Sequence, residues 1–442
     1  MSTDKLDSTP AQSISTSLPT QSQRRRVLAA SFIGTTIEWY DFFIYGTAAA
    51  LVLGPQFFPS ASPLAGTLAA FATFSVGFLA RPLGGIIMGH FGDRIGRKAM
   101  LVTSLMIMGV ATVLVGVLPN YASIGLAAPI LLVVLRLAQG IGVGGEWGGA
   151  VLMAVEYAPP ARRSLYGSVP QMGVPAGIIL STIAYLAVGR FLTESAFESW
   201  GWRIPFLLSG VLIVVGLLIR LSIAESPEFT DVKRRGDVRR NPLKDVLTGH
   251  WRALVIGAAI SVASTALGYL VLVYMLSYGT TQLDLPRELM LEMILTGAAV
   301  WLVGIPLFAV LADRIGRRPV FLGGAALAAL WAVPFFVLVD SRSVPSMIAA
   351  FAVATAAVAA MAGPQAAVIA DLFPPSLRYS GASIAYQAGS IVGGGVAPIV
   401  AAALLATTGT SMSIAVYMIL AAAISLIAGG WIRSKTRIKH DA

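Results

Sequence analysis

With 442 residues, 56% of them hydrophobic and only 12% charged, and a mean hydropathy of +0.79, the chain is too apolar for a water-soluble protein, where about 25% of residues carry charge. The absence of cysteine excludes a disulfide framework, a thiolate metal site and a thiol nucleophile. The net charge of +10 reads as the topology signal of a membrane chain, and no nucleic-acid partner is needed to account for it.

In chain order, residues 1–23 are rich in Ser, Thr and Gln and predict a disordered cytoplasmic tail. Arg24-Arg25-Arg26 and the apolar run behind it imitate a signal peptide. That run continues to about residue 53 and contains Glu38 and Asp41, however, whereas a cleaved h-region spans only about 7–15 residues. Polar and Pro/Gly punctuation predicts helices near 27–53, 65–90, 100–118, 127–157, 165–189 and 204–222. A second set follows near 251–277, 289–311, 320–339, 346–370, 381–406 and 412–432. Stretches such as 99–135 and 379–432 lack Asp, Glu, Lys and Arg altogether, and a crossing needs only about 20 apolar residues.

The fold class expected is therefore an all-α integral membrane protein of twelve transmembrane helices in two pseudo-symmetric six-helix bundles. The tail 1–23 precedes a bundle at 24–223, a charged cytoplasmic linker at 224–250, a second bundle at 251–432 and a tail at 433–442. Of the 31 Lys and Arg, all but six fall in the tails or in the loops after even-numbered helices. The exceptions are Arg190, Arg203, Arg287 and Arg342 on the other side, and Arg81 and Arg136 inside helices. The positive-inside rule then puts both termini in the cytoplasm.

The two halves repeat. Asp93-Arg94-Ile95-Gly96-Arg97 after the second helix recurs as Asp313-Arg314-Ile315-Gly316-Arg317 after the eighth, 220 residues later. Glu156-Tyr157-Ala158-Pro159-Pro160 after the fourth helix recurs as Asp371-Leu372-Phe373-Pro374-Pro375 after the tenth, 215 residues later. Two motifs at nearly one offset argue for duplication, with a binding site between the halves.

These loops, with Arg136-Leu137-Ala138-Gln139-Gly140 in the fourth helix, resemble the major facilitator superfamily. Glu38-Trp39-Tyr40-Asp41-Phe42, Ala80-Arg81-Pro82-Leu83-Gly84-Gly85, Gly144-Gly145-Glu146-Trp147-Gly148-Gly149 and Trp200-Gly201-Trp202-Arg203 are similar to its metabolite:proton symporter branch. That branch includes carriers for shikimate, 2-oxoglutarate, citrate and proline or betaine. The resemblance implies a rocker-switch fold, proton-driven uptake and a cytoplasmic gate built on the D-R-I-G-R loops.

Independently of it, Glu38, Asp41, Arg81, Arg136 and Glu146 lie roughly 13 Å or more from the nearer helix end at 1.5 Å per residue. Each such charge costs about 2.5–3.5 kcal/mol near a helix centre, so pairing or a wet cavity is expected. Glu38, Asp41 and Glu146 are the proton-coupling candidates. Glu38 and Asp41, three residues apart on one helical face, repel when both are ionised. Arg81 and Arg136 are the candidate anion contacts, by bidentate pairing. Tyr40, Gln139, Gln171, Tyr269, Tyr274, Gln365, Tyr386 and Gln387 offer hydroxyl and amide partners for cargo. A structural ion pair for the charges, and ordinary interhelical hydrogen bonds for the neutral residues, are the alternative readings.

At the loops, Asp93 and Asp313 are placed to cap a neighbouring helix. Glu156 and Asp371 are suitable acidic partners for Arg97 and Arg317, and with Arg94, Arg163 and Arg378 these residues form the candidate cytoplasmic gate. An enzyme reading is poor. The three His stand near helix ends or in a tail, and Gly140-Ile141-Gly142-Val143-Gly144-Gly145 lies inside a helix without the Lys-Ser/Thr of a phosphate loop. Neither metal nor cofactor is expected, only protons as coupling ion. The function expected is a proton-coupled symporter of the inner membrane, working as a monomer among lipid and importing a small organic acid such as shikimate or a di- or tricarboxylate. A carrier of a zwitterionic solute such as proline or betaine, or a proton-driven exporter, is the alternative on the same fold.

Overall fold

The computed structural model describes residues 21–59, 62–95, 97–144, 150–151, 154–155, 158–222, 242–374 and 377–432. Glu146 and Glu156, the side chains of Asp93, Arg94, Arg97 and Arg378, and most of the tails and linker lie outside these residues.

Twelve long helical stretches follow one another: α1 (Gln21–Leu51), α2 (Pro63–Ile95), α3 (Arg97–Val117), α4 (Ala127–Gly144), α5 (Arg163–Phe191), α6 (Ile204–Ser222), α7 (Trp251–Tyr269, continuing to Thr281), α8 (Arg287–Ile315), α9 (Arg317–Asp340), α10 (Val344–Asp371), α11 (Arg378–Ser390, continuing to Thr408) and α12 (Met412–Gly430). Among the described residues eleven helices are long and apolar enough to cross a membrane, and the apolar part of α3, Val102–Val117, is shorter. At 1.5 Å per residue the whole of α3 still reaches about 31 Å, close to the ~30 Å of a hydrocarbon core.

Most helices outrun their apolar stretches. α1 begins before Arg24 because no proline interrupts the chain between Pro19 and Pro55. α2 and α8 run on through Asp-Arg-Ile, and the next helix begins at the following Arg. A single residue makes the turn between α8 and α9, Gly316 at φ +103°, a conformation that side chains with a Cβ rarely adopt. The second copy of the D-R-I-G-R string thus encodes a one-residue corner between antiparallel helices.

The packing repeats as the sequence does. α1 lies on α5, α2 on α4 and α3 on α6, and the same plan recurs with α7 on α11, α8 on α10 and α9 on α12. The halves meet where α5 packs against α8 and α10, and where α2 packs against α11. Glycine permits the closest approaches. A Cβ on Gly140 or Gly144 of α4 would overlap the Gly77 or Arg81 carbonyl oxygen of α2, and one on Gly177 of α5 would overlap the α1 backbone at Tyr40. The glycine run of α4 is therefore a helix-packing surface.

Two helices are interrupted by π-helical turns, Leu270–Tyr274 in α7 and Ile391–Gly395 in α11. The second is announced by three glycines and Pro398; nothing in the sequence announces the first. Pro170, Pro175 and Pro364 stay inside continuous helices.

Candidate functional site

In the first half, Glu38 (4% exposed), Asp41 (1%), Arg81 (1%) and Arg136 (0%) are all withdrawn from the surface. The two cations are met by rings. The Arg81 guanidinium stands 4.3 Å from the Phe78 ring centre, 4.5 Å from Phe42 and 5.2 Å from Trp39. That of Arg136 stands 3.9 Å from Tyr45 and 5.0 Å from Phe42. Neither is in ion-pair contact with a carboxylate among the described residues. A desolvated cation on an aromatic face gains about 2 kcal/mol or more, which offsets much of the insertion cost. Gly77 leaves room for Arg136, since a Cβ there would fall 2.7 Å from Nη2.

Arg136 also donates to Gln139 Oε1 (2.9 Å) and to the Phe74 carbonyl (3.2 Å), and Gln139 donates onward to Thr112 of α3 (2.7 Å). Gln139 is thus committed to holding Arg136. Tyr40 is likewise committed, donating to the Pro205 carbonyl of α6 at 2.7 Å. Asp41 accepts from Ser209 of α6 through one carboxylate oxygen and leaves Oδ2 without a partner. Glu38 has Arg81 and Arg220 as charge neighbours. Arg220 counted as a loop residue in the sequence, yet it is 8% exposed and reaches back beside Gly34, one turn from Glu38.

Between the halves lies a cavity of about 30 Å³ lined by Trp39, Phe43, Gln171 and Val174 from the first half and Ser264, Thr265, Gly268, Tyr269, Trp301, Ala362, Gln365 and Tyr386 from the second. It has room for a water or two, so a metabolite enters only when the halves part. Of the residues expected to touch cargo, Gln171, Tyr269, Gln365 and Tyr386 line it. Arg81, Arg136, Tyr40, Gln139, Tyr274 and Gln387 do not. Arg81 sits behind Trp39, among the same rings, Trp39, Phe42 and Phe78, on which the cavity-lining Tyr269 packs. Tyr269 is the keystone, its ring packed against Trp39, Phe42, Phe43, Phe74 and Phe78 at centroid distances of 5.1–6.5 Å. Tyr274 lies further along α7, against Phe71 and Tyr278, and Gln387 is buried with Oε1 unpaired.

The end of the molecule that carries the D-R-I-G-R loops is closed by charge. Asp313, in the last turn of α8, accepts from the backbone N–H groups of Ser164 and Leu165 at 3.0 Å each, capping α5 of the other half. The α5 N-terminus has no side-chain cap of its own. Arg317 donates to Ser164 Oγ (3.1 Å) and to Asp371, and Arg163 lies 3.8 Å from Asp371. At the opposite end Arg287 of α8 covers the Phe197 ring at 4.0 Å, and midway along the helices Ser75 of α2 donates to the Gly395 carbonyl in the π turn of α11.

Sequence reasoning passed over Trp39, Phe43, Ser264, Thr265 and Trp301 as cargo-facing groups. A Trp and a Phe beside Glu38 and Asp41 were a signal for the first two. Trp301, in an otherwise apolar helix, had none beyond its indole N–H.

The family described as sugar (and other) transporter matches residues 27–245 and 239–432. The chain belongs to that family and is a multi-pass membrane transporter, not an enzyme. It is 43% identical over 410 residues to the inner membrane metabolite transport protein YhjE of Escherichia coli K12, covering 92% of this chain and 93% of the relative. The shikimate transporter of the same organism is 44% identical over 409 residues, covering 91% and 93%. The proline/betaine transporter of Salmonella typhimurium is 36% identical, covering 92% and 82%. Among solved structures, the major facilitator superfamily proton:xylose symporter XylE superposes with a TM-score of 0.72 at 18% identity, covering 93% of this chain and 96% of the other. That likeness confirms the fold of two six-helix halves.

Proposed function

We propose that the chain is a proton-coupled symporter. In this reading it imports a small organic carboxylate across the cytoplasmic membrane by alternating access, with the D-R-I-G-R end facing the cytoplasm. The observation that carries the reading is the cavity between the halves, two of whose lining rings, Trp39 and Tyr269, pack on the cluster that holds the Arg81 guanidinium. A carboxylate entering as the halves part meets Arg81, and its arrival alters the field at Glu38, so that cargo and proton are linked through one cation. Asp41, with a free carboxylate oxygen, is the second proton candidate. The relatives that carry shikimate or other metabolites support the substrate class.

A second reading has its own observation. Trp39, Phe43, Tyr269, Trp301 and Tyr386 line the cavity without a charged side chain, and an aromatic cage suits a quaternary ammonium. Betaine, which relatives carry, is the zwitterion to test.

The test is uptake into proteoliposomes under an imposed pH gradient with shikimate, 2-oxoglutarate, citrate and betaine side by side. Accumulation of one carboxylate that collapses with a protonophore is the expected result. Accumulation of betaine alone selects the cage, and flux indifferent to the gradient rejects proton coupling. Arg81→Ala is expected to weaken carboxylate binding at least about tenfold, the equivalent of 1.4 kcal/mol.

A further inference from the structure

The polar groups that line the second half's side of the cavity are mostly spent on one another. Ser264 donates to Gln365 Oε1 (3.3 Å) and to the Ser261 carbonyl (3.2 Å). Thr265 donates to the Ser261 carbonyl (2.7 Å), and Gln365 donates its amide to Ser261 Oγ (3.1 Å). Two lining donors remain without a partner, the Tyr269 hydroxyl and the Trp301 indole N–H. Trp301 stands midway along α8 and is 8% exposed. A buried N–H without an acceptor is costly, and an oxygen arriving in the cavity removes that cost.

We propose that Trp301 is a cargo-contacting, specificity-determining residue whose indole N–H donates to an oxygen of the cargo from the second half. The proposal rests on the transport reading above and deepens it. An indole N–H donates and never accepts, so it welcomes carboxylate, hydroxyl or carbonyl oxygen and offers nothing to an ammonium group. Trp301, on the second half's wall, and Arg81, held behind Trp39 in the first half, then meet one cargo as the halves part. The cargo's oxygens bridge the two halves. For a site built to hydrogen-bond an oxygen, the analogue without it is rejected strongly, because the donor is left bare.

The experiment compares wild type, Trp301→Phe and Trp301→His in proteoliposomes, with shikimate, 2-oxoglutarate, citrate and betaine as probes, alongside equilibrium binding and melting temperature in detergent. For the carboxylate that the wild type carries, Trp301→Phe keeps the ring and loses the N–H. It is expected to raise KM and Kd about tenfold while leaving the maximal rate and melting temperature nearly unchanged. Trp301→His keeps a ring N–H and is expected to hold KM within about threefold. An unchanged KM in Trp301→Phe overturns the proposal, as does a lowered melting temperature with unaltered affinity, which assigns Trp301 to packing. If the phenylalanine variant does not reach the membrane, the histidine variant decides, and a tenfold loss there counts against the proposal. A wild type that binds none of the four probes brings down the transport reading itself, an outcome distinct from a wild type that binds and a variant that binds equally.

Discussion

The two halves share a packing plan and differ in what they bury. Among the described residues the first half withdraws Glu38, Asp41, Arg81, Arg136 and Arg220 from the surface, whereas the second withdraws only neutral polar groups such as Ser261, Thr265, Gln365 and Gln387. The backbone plan is inherited by both copies because small residues at the helix contacts specify it. The charges are not inherited, because each needs its own compensation: rings for Arg81 and Arg136, a hydroxyl for Asp41, space at Gly77 and Gly34. The first half holds the ionisable groups, and the second presents donors and rings to the same cavity.

The sharpest way to break this contrast is to neutralise the first half. Glu38→Gln is expected to abolish accumulation under a pH gradient while exchange of cargo across the membrane persists, as read by counterflow. Gradient-driven accumulation at the wild-type level would remove Glu38 from the coupling. Changes in the second half that leave the cavity lining intact are expected to slow transport without uncoupling it.

Equivalent helix pairs allow a second comparison. Gly140→Ala in the α2–α4 contact sets a methyl against the Gly77 carbonyl oxygen, whereas Gly304→Ala in the α8–α10 contact meets the Ala359 methyl at 2.7 Å. The overlap is deeper at Gly140, against a carbonyl oxygen, than at Gly304, against a methyl as fixed as its backbone, so Gly140→Ala is expected to cost about 2–3 kcal/mol and Gly304→Ala about 1–2. Melting temperatures falling equally for both would deny the difference.

A smaller effect is expected at the charged end. Asp313→Asn weakens two charge-assisted hydrogen bonds that cap α5 from the other half, worth about 1–2 kcal/mol in favour of the closed end. The population open at that end should rise roughly five- to thirtyfold. Spin-label distances across α5 and α8 report it, and the absence of native cysteine keeps the labels unique; an unmoved distance distribution argues against a latch. Smallest of all, Arg163→Ala loses a 3.8 Å contact between half-exposed groups. It should shift the same distances by less than about 0.5 kcal/mol, and a change as large as that of Asp313→Asn would mean that Asp371 is held by Arg163 more than by Arg317.

Much of this was legible beforehand. Deep charges stand out in an apolar chain because their cost is so high, and Glu38, Asp41, Arg81 and Arg136 are all buried. The repeated D-R-I-G-R string marked the duplication and the loops after the second and eighth helices. Arg220 misled, because its place near a helix end counted it with the loops although its long side chain turns inward to Glu38. Tyr40 and Gln139 were legible as polar residues at depth, but not as ones committed to Pro205 and Arg136.

By itself, then, the sequence determined a duplicated bundle of twelve membrane helices, its repeated loops and the residues too costly to be bystanders, since hydropathy, glycine and charge act locally and can be read along the chain. Only the tertiary structure decided that rings rather than carboxylates hold the two arginines, that Asp313 caps a helix 149 residues away in sequence, and that Tyr269 and Trp301 face Trp39 across a cavity. Those contacts join different helices, the last two from different halves, and their partners are fixed by how the helices pack, a relation that no stretch of chain carries alone.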